Sequence, residues 1–357
     1  MRAKVAEHAA LFYQGGTVVW DDYLHHRQFA ISETAELLCR KFTEFTDVEA
    51  LLAPLDQADR SALRKVLDEL VEAGVLILEG SAAHDAETRM LAGWSGWGAS
   101  ARHFHFASRT LAAAPYQTSD EHDAVLDAKL ALHPPPAPFR SVGGGEAVPL
   151  PPMPDEPDWG ARGVLDVLLA RRTTRAFGPG ALPLDRVGEL LGVLGAPSPA
   201  KSRIGRTGTV YKTSPSGGGR HPVELYAHAT DVDGLAPGWY HYDGLAHALE
   251  PLGERWTPGR LAEAAGDQEW VGLAPLVVAY TAVLERTRWR YDTSRAYRVV
   301  QMDVGHLSQT AYLVATAMGF GIGFTAALRD ELVEQALGCD AYHEVVLGMS
   351  AVGLLPE

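Results

Sequence analysis

Two short runs concentrate the side chains able to do chemistry. Arg171, Arg172, Thr173 and Arg175 lie in RRTTRAF, at the end of an apolar helical stretch. Further along, Pro215, Ser216, Gly217 and Gly218 open PSGGGRHP ahead of a strand-like run. Guanidinium forks grip phosphate oxygens bidentately. Consecutive glycines let backbone N–H groups approach a flat polar ring. The pair predicts a site for a phosphorylated, planar cofactor. A single arginine is ordinarily a solvated helix end, a reading that three arginines beside two threonines resist. The glycine run without RRTTRAF upstream would read as a plain loop.

These runs need a scaffold, and from Arg162 onward helix and strand patterns alternate. Val187, Leu190, Leu191 and Leu194 form an apolar helix stripe, and Val223, Leu225 and Ala227 alternate as a half-buried strand. WYHYD and HAL flank an Asp243-Gly244 turn, a hairpin signal. Pro275 to Leu284 reads as a buried strand. Ala296 to Met318 reads as a long helix with Val300, Val304, Leu307, Ala311, Val314 and Met318 along one side, ended by Gly319 and Gly321. Phe324 to Ala327 is expected to begin a strand, followed by a helix over Asp330–Leu337 and a strand over Val345–Val352. The pattern is α+β.

The N-terminal part opens with strand-like LFYQGGTVVWDDYLHHRQFAIS. Three helical segments follow: Glu33 to Phe42, a second capped by Thr46 and Glu49 and ending near Leu52, and a third with Leu63, Val66, Leu67, Leu70 and Val71 on one face. Gly74 ends the third, and Val75 to Leu78 reads as a strand. Helices followed by a short β element outline a winged-helix-like domain, suited to peptide binding or to packing and dimerisation. In GWSGWGASARHFHFASR, His103 and His105 have no third ligand nearby. Strand alternation with aromatic packing is therefore expected there, and no metal site. From His133 to Trp159 the chain is rich in proline and glycine and reads as an extended connection. The expected division is 1–90 for the winged-helix-like domain, 91–158 for a bridge and linker, and 159–357 for the cofactor domain.

The formal net charge of −14 disfavours a nucleic-acid partner, which needs a basic face. No apolar run reaches membrane-spanning length, and the start MRAKVAEHAALFYQGG has no apolar secretory core. A cytoplasmic, membrane-free protein is expected. Cys39 and Cys339 match no metal or disulfide spacing and read as small hydrophobes.

In sequence order, RRTTRAF, TSPSGGGRHPVELY, PGWYHYD, RYDTSRAYRVVQMDVGHLSQTAYLVATAMGFG and LGMSAVG resemble the nitroreductase superfamily. Within it they resemble the SagB-type dehydrogenases that oxidise azolines to azoles in ribosomal peptide natural products. The resemblance covers Pro149 to Gly353. It implies an antiparallel-rich sheet wrapped by helices, FMN as cofactor, and an intertwined homodimer with the 296–318 helix at its core. It further implies that Arg171, Arg172, Thr173 and Arg175 hold the FMN phosphate and ribitol. Pro215, Ser216, Gly217 and Gly218 would line the isoalloxazine, commonly of the partner subunit. Backbone N–H groups of Thr325, Ala326 and Ala327 would lie near flavin N5 and O4. A peptide substrate, leader-peptide recognition by the N-terminal domain and a cyclodehydratase partner are implied too.

The azoline dehydrogenases carry a Lys-Tyr pair before the long helix, where this chain has Arg290-Tyr291. Arginine holds its proton too tightly to be a general base. Three readings follow. Tyr291, activated by Arg290, or another group supplies the base of a peptide dehydrogenase. Alternatively, Arg290 anchors the substrate and Tyr291 donates a proton in a reductase of a dehydroamino acid, activated alkene or nitro compound, with NAD(P)H as electron donor. In the third, the dyad is lost and the protein scaffolds a peptide-modifying complex. His221 is a further catalytic candidate, titrating near neutrality unless it is structural.

Overall fold

The protein is described here by a computed structural model covering residues 1–142, 145–199 and 204–356. Gly143 and Gly144 of the proline- and glycine-rich stretch lie outside the described residues. The chain forms two compact units, Met1–Ala114 and Pro115–Glu357. Residues 91–158, expected as one bridge, divide between them.

In the first unit, strand β1 (Arg2–Val5) is followed by a meander of β2 (Ala10–Gln14), β3 (Thr17–Asp22) and β4 (Arg27–Ala30). Gly15 and Gly16 both take positive φ in the two-residue β2–β3 turn, the geometry that matches strand twist. Helix α1 (Glu33–Cys39), β5 (Thr46–Asp47), α2 (Val48–Leu52), α3 (Gln57–Glu72) and β6 (Leu76–Leu78) follow, with β1 pairing antiparallel between β5 and β6. The α2 cap is Asp47 rather than Thr46: its carboxylate accepts the Glu49 N–H at 3.1 Å. Thr46 is committed to pairing with Ala3, and its hydroxyl donates to the carbonyls of Lys41 and Glu44. Trp20, Phe42, Leu52, Leu67 and Val75 fill the core.

Helices α4 (Ala82–Trp94) and α5 (Gly98–Ala107) complete the unit. The aromatic stretch expected as a strand is thus helical. Helical spacing carries Phe106 into a small cluster with Tyr23 and Met90. It leaves His103 bonded to Asp21 (2.9 Å) while His105 lies against Trp94. The two histidines therefore serve different neighbours.

The second unit runs α6 (Ser119–Leu132), β7 (Val148–Pro149), α7 (Val164–Ala170), α8 (Leu184–Gly195), β8 (Val223–Ala229), β9 (Gly238–Asp243) and β10 (Ala248–Pro251). It continues with α9 (Pro258–Ala264), α10 (Glu269–Gly272), β11 (Leu276–Val283), α11 (Leu284–Arg288), α12 (Ala296–Met318), β12 (Phe320–Thr325), α13 (Asp330–Leu337) and β13 (Glu344–Leu354). Seven strands form one antiparallel sheet in the order β12-β13-β11-β8-β9-β10-β7. Leu190, Leu191 and Leu194 of α8 and Val304, Leu307 and Ala311 of α12 pack on one face against Val223, Leu225 and Val278. Leu261 of α9 and Val333 and Leu337 of α13 pack on the other, against Tyr226, Val277 and Ala279. β8 is therefore buried on both faces, not half-buried, because helices cover the sheet on each side. Each fully buried aliphatic side chain contributes about 1.5–3 kcal/mol. Among the described residues no helix is long and apolar enough to cross a membrane.

Candidate functional site

Past the end of α7, RRTTRAF leaves the helix and runs without regular structure against β12 and the end of β13. The Thr174 N–H donates to the Ile322 carbonyl (2.8 Å) and the Gly178 N–H to that of Leu354 (2.9 Å). A Cβ on Gly323 would lie 2.6 Å from the Thr174 carbonyl oxygen, so only glycine permits this approach. β12 ends at Thr325, where a strand was expected to begin: the chain bends away there into Ala326 and Ala327.

Side chains from three elements lock the two segments together. The Tyr312 hydroxyl on α12 accepts the Phe324 N–H (2.9 Å) and lies 3.1 Å from the Thr173 hydroxyl. The Arg171 guanidinium sits 5.3 Å from the centroid of the Tyr312 ring, and that of Arg175 sits 5.8 Å from the Trp270 ring. Trp270 donates to Gln268, Gln268 donates to Thr325, and the Thr325 hydroxyl accepts the Ala327 N–H (3.1 Å). Tyr312, Gln268 and Trp270 carry no sequence signal of their own; only the register of β12 against α12 and α10 reveals them. Arg172 donates to the carbonyls of Leu169 and Arg171. Among the described residues, none of these three arginines pairs with a carboxylate, although acids outnumber bases in the chain. Unpaired guanidiniums beside hydroxyls are a donor set suited to an anion.

The glycine run is held elsewhere on the same helix. Asp303 accepts from the Ser216 hydroxyl (2.6 Å) and the Gly217 N–H (3.2 Å), and His306 bonds the Pro215 carbonyl (3.2 Å). Burial raises the Asp303 carboxyl against the pull of those donors. Gly218 takes φ +63°, and a Cβ there would lie 2.5 Å from the Tyr291 hydroxyl and 2.7 Å from Arg290 Cδ. The structure thus brings Gly218, Arg290 and Tyr291 together. Tyr291 stacks on His122 (6.3 Å between centroids) and lines a cleft of about 490 Å³ with Thr287, Ser294, Tyr297 and Val300. Arg290 Nε is buried without a hydrogen-bond partner among the described residues.

Asp303 and Tyr312 are nine residues apart, two and a half turns, and so face opposite sides of α12. One chain therefore does not bring RRTTRAF and PSGGG to a common face.

His221 does not titrate near neutrality. It is buried, its Nε2 bonds the Val210 carbonyl (3.1 Å), and its own carbonyl accepts from buried Arg286 (3.3 Å). Burial, then the charge of Lys212, lowers its pKa to about 4. It braces the loop, as do Arg220 and Arg286. Lys212 was not singled out in the sequence. Its ammonium lies 4.9 Å from the centroid of the Phe139 ring, and the residue lines a small cavity with Pro215, Ser216 and His221. Burial pulls its pKa to about 8, with Arg286 adding to the fall and Glu224 opposing it.

Residues 168–354, just over half of the chain, match the nitroreductase family. The Methanocaldococcus jannaschii protein MJ1384, whose name assigns it provisionally to the nitroreductases, is 33% identical over 177 residues, spanning 50% of this chain and 85% of that protein. The trifolitoxin-processing protein TfxB of Rhizobium leguminosarum bv. trifolii is 30% identical over 178 residues, 49% of this chain and 48% of its own length. The microcin B17-processing protein McbC of Escherichia coli is 29% identical over 138 residues, 37% of this chain and 50% of its own. The chain thus spans about half the length of the two peptide-processing relatives. The arginine segment against β12, the sheet wrapped on both faces and a family match running through both motifs agree: the chain belongs to the nitroreductase family.

Proposed function

We propose that the protein is an FMN-dependent oxidoreductase that oxidises an azoline to an azole in a peptide natural-product precursor. The observation that carries the cofactor is the cluster of Arg171, Arg172 and Arg175, three guanidiniums with no carboxylate partner among the described residues. They and Thr173 would hold the phosphate and ribitol; Pro215, Ser216, Gly217 and Gly218 would meet the ring system, with the backbone of Thr325, Ala326 and Ala327 beside it. When bound, FMN supplies a two-electron acceptor. Because the arginine cluster and the glycine run face opposite sides of α12, each complete site takes its glycine run from a second copy. The exposed leucines of α7 supply an apolar face for such a homodimer.

The peptide substrate is supported by the names of TfxB and McbC, which process a peptide toxin and a microcin. Under this reading the first unit binds the peptide leader, and a cyclodehydratase supplies the azoline. Azoline oxidation also removes a proton from the substrate carbon, and a side chain of this protein must take it. Arg290 cannot take that proton. Tyr291 borders the cleft and Lys212 lies beside the glycine loop, so the proton is assigned to one of them. Arg290 favours a second reading, in which it anchors the carbonyl of a dehydroamino acid or alkene and Tyr291 donates a proton while the enzyme reduces its substrate.

The test is anaerobic absorbance of the flavin-loaded protein mixed separately with an azoline peptide and with NADPH. Bleaching by the peptide, with a product two mass units lighter, is expected. Bleaching by NADPH alone would transfer the assignment to a reductase.

A further inference from the structure

A second polar centre lies in the first unit, far in sequence from the nitroreductase-family match. β3 and β4 pair Asp22 with Arg27, so the connecting turn folds His25 back over Asp22; its backbone N–H and its Nδ1 both lie within hydrogen-bond reach of Asp22 Oδ1, at 3.1 and 2.9 Å. From the segment between β1 and β2, His8 Nε2 approaches the same oxygen at 3.3 Å. The one-atom-per-residue set of His8, Asp22 and His25 lies within 4.8 Å of one another.

The surroundings orient this set inward. Glu87 takes the opposite ring nitrogen of His8, Nδ1, at 2.8 Å, which leaves Nε2 as the nitrogen that faces Asp22. Arg27 occupies the outer oxygen of Asp22 at 2.7 Å, and Lys4 reaches the outer oxygen of Glu87 at 3.2 Å. A carboxylate behind a ligating imidazole fixes its tautomer and raises its basicity. Asp22 is fully buried and His8 nearly so, whereas His25 stands at the surface. The three border a cavity of about 340 Å³ whose other walls include Val71, Leu76 and Ile77. A tetrahedral ion with bonds of about 2.1 Å sets its ligand atoms about 3.4 Å apart; His8 lies 3.3 Å and His25 2.9 Å from Asp22 Oδ1, so binding requires only small shifts of the exposed His25 side chain.

We propose that His8, Asp22 and His25 form a binding site for a divalent transition-metal ion of the zinc class. Two imidazoles and one carboxylate meet the N/O preference of such ions, and three protein ligands leave a coordination position open to the cavity. With both imidazoles ligating and neutral, Asp22, Glu87 and Glu7 outweigh Arg27 and Lys4 by one charge, so a bound divalent ion leaves a net positive centre that an anionic ligand from the cavity, such as a carboxylate or thiolate, would balance.

The proposal is tested on untagged, full-length protein stripped with chelator, titrated with Co²⁺ and then with Zn²⁺. One equivalent of Co²⁺ with a visible ligand-field band, displaced by Zn²⁺, is expected. His25→Ala removes a surface ligand without opening the core and should weaken binding at least about tenfold. Glu87→Gln, which keeps the shape behind His8, should weaken it by about 10–100-fold. If wild type binds neither ion more tightly than His25→Ala does, the proposal is overturned and the cluster is an ion-paired imidazolium clamp.

Discussion

Arg171 and Lys212 owe their assigned roles to what they lack. Arg171 rests on the face of Tyr312 with no carboxylate partner among the described residues, a geometry that leaves its fork available to an anion. Arg171→Ala should lower the FMN retained through purification at least about tenfold, the loss of one charge-assisted contact. The ratio of flavin to protein absorbance measures it, and unchanged flavin would remove the phosphate assignment. Lys212 has a cation–π neighbour, and its pKa of about 8 leaves a usable fraction of free amine at neutral pH. Lys212→Met should reduce azoline oxidation by about 10²–10⁴-fold, the usual worth of a general base. It should also abolish exchange of the substrate's acidic carbon-bound proton with deuterium in the flavin-free protein. If Lys212→Met retains both activities, the proton goes to Tyr291 instead.

Among the elements, α7 is the least explained by its own chain. Val164, Leu165, Leu168 and Leu169 are all exposed, the last three at 65%, 46% and 65%, while only Val167 is buried. Four apolar side chains on one short helix form a patch of the kind that marks an interface. On α12, Met302, Gly305 and Gln309 lie on an open side, and a Cβ at Gly305 would meet nothing within 4 Å. Leu165→Glu with Leu169→Glu should convert a dimer to a monomer in light scattering, weakening association at least about a hundredfold. The same variant should lose flavin, because the glycine run of the second copy leaves with it. A dimer that persists with full flavin would place the interface elsewhere.

Across the whole molecule, buried histidines set the pH response. His228 on β8 is fully buried and accepts the Trp256 N–H on Nε2 (3.1 Å), so the fold requires it neutral there. Burial, then the charge of Arg255, lowers its pKa to about 4. Its folded value lies below the unfolded one, so the unfolded chain binds the extra proton between pH 6.5 and about 4. Stability is full above pH 6.5 and falls as pH drops through that window, by up to about 3 kcal/mol for this group. His221 acts with the same sign. For His241, burial opposes the charge, but Glu224 and Glu250 outweigh it and raise the pKa, so its contribution is full below pH 6.5 and is lost as pH rises through the raised value. Melting temperature should fall between pH 7 and 4.5, and His228→Gln should flatten that fall; an unaltered slope would assign the acid sensitivity to other groups.

Most of the longer elements from Arg162 to the C-terminus were legible, as in the single apolar stripe of α12 from Val300 to Val314, whereas the short helices α9, α10 and α11 and the start of β12 were not, because short runs carry little period. The clustering of arginines in RRTTRAF was legible, and their freedom from carboxylate partners among the described residues agrees with it. The helical conformation of the His103 segment was not legible, since one partner of Phe106, Tyr23, lies far away in sequence. Nor were Tyr312, Gln268, Lys212 and the His8–Asp22–His25 cluster, each an ordinary residue until folding surrounds it. The sequence by itself determined most of the long elements and the chemical types on offer, because local periodicity and residue type act over a few positions. Only the tertiary structure decided which groups meet, that the arginine and glycine motifs face opposite sides of one helix, and which histidines are held neutral, because contact, burial and field depend on distances through space.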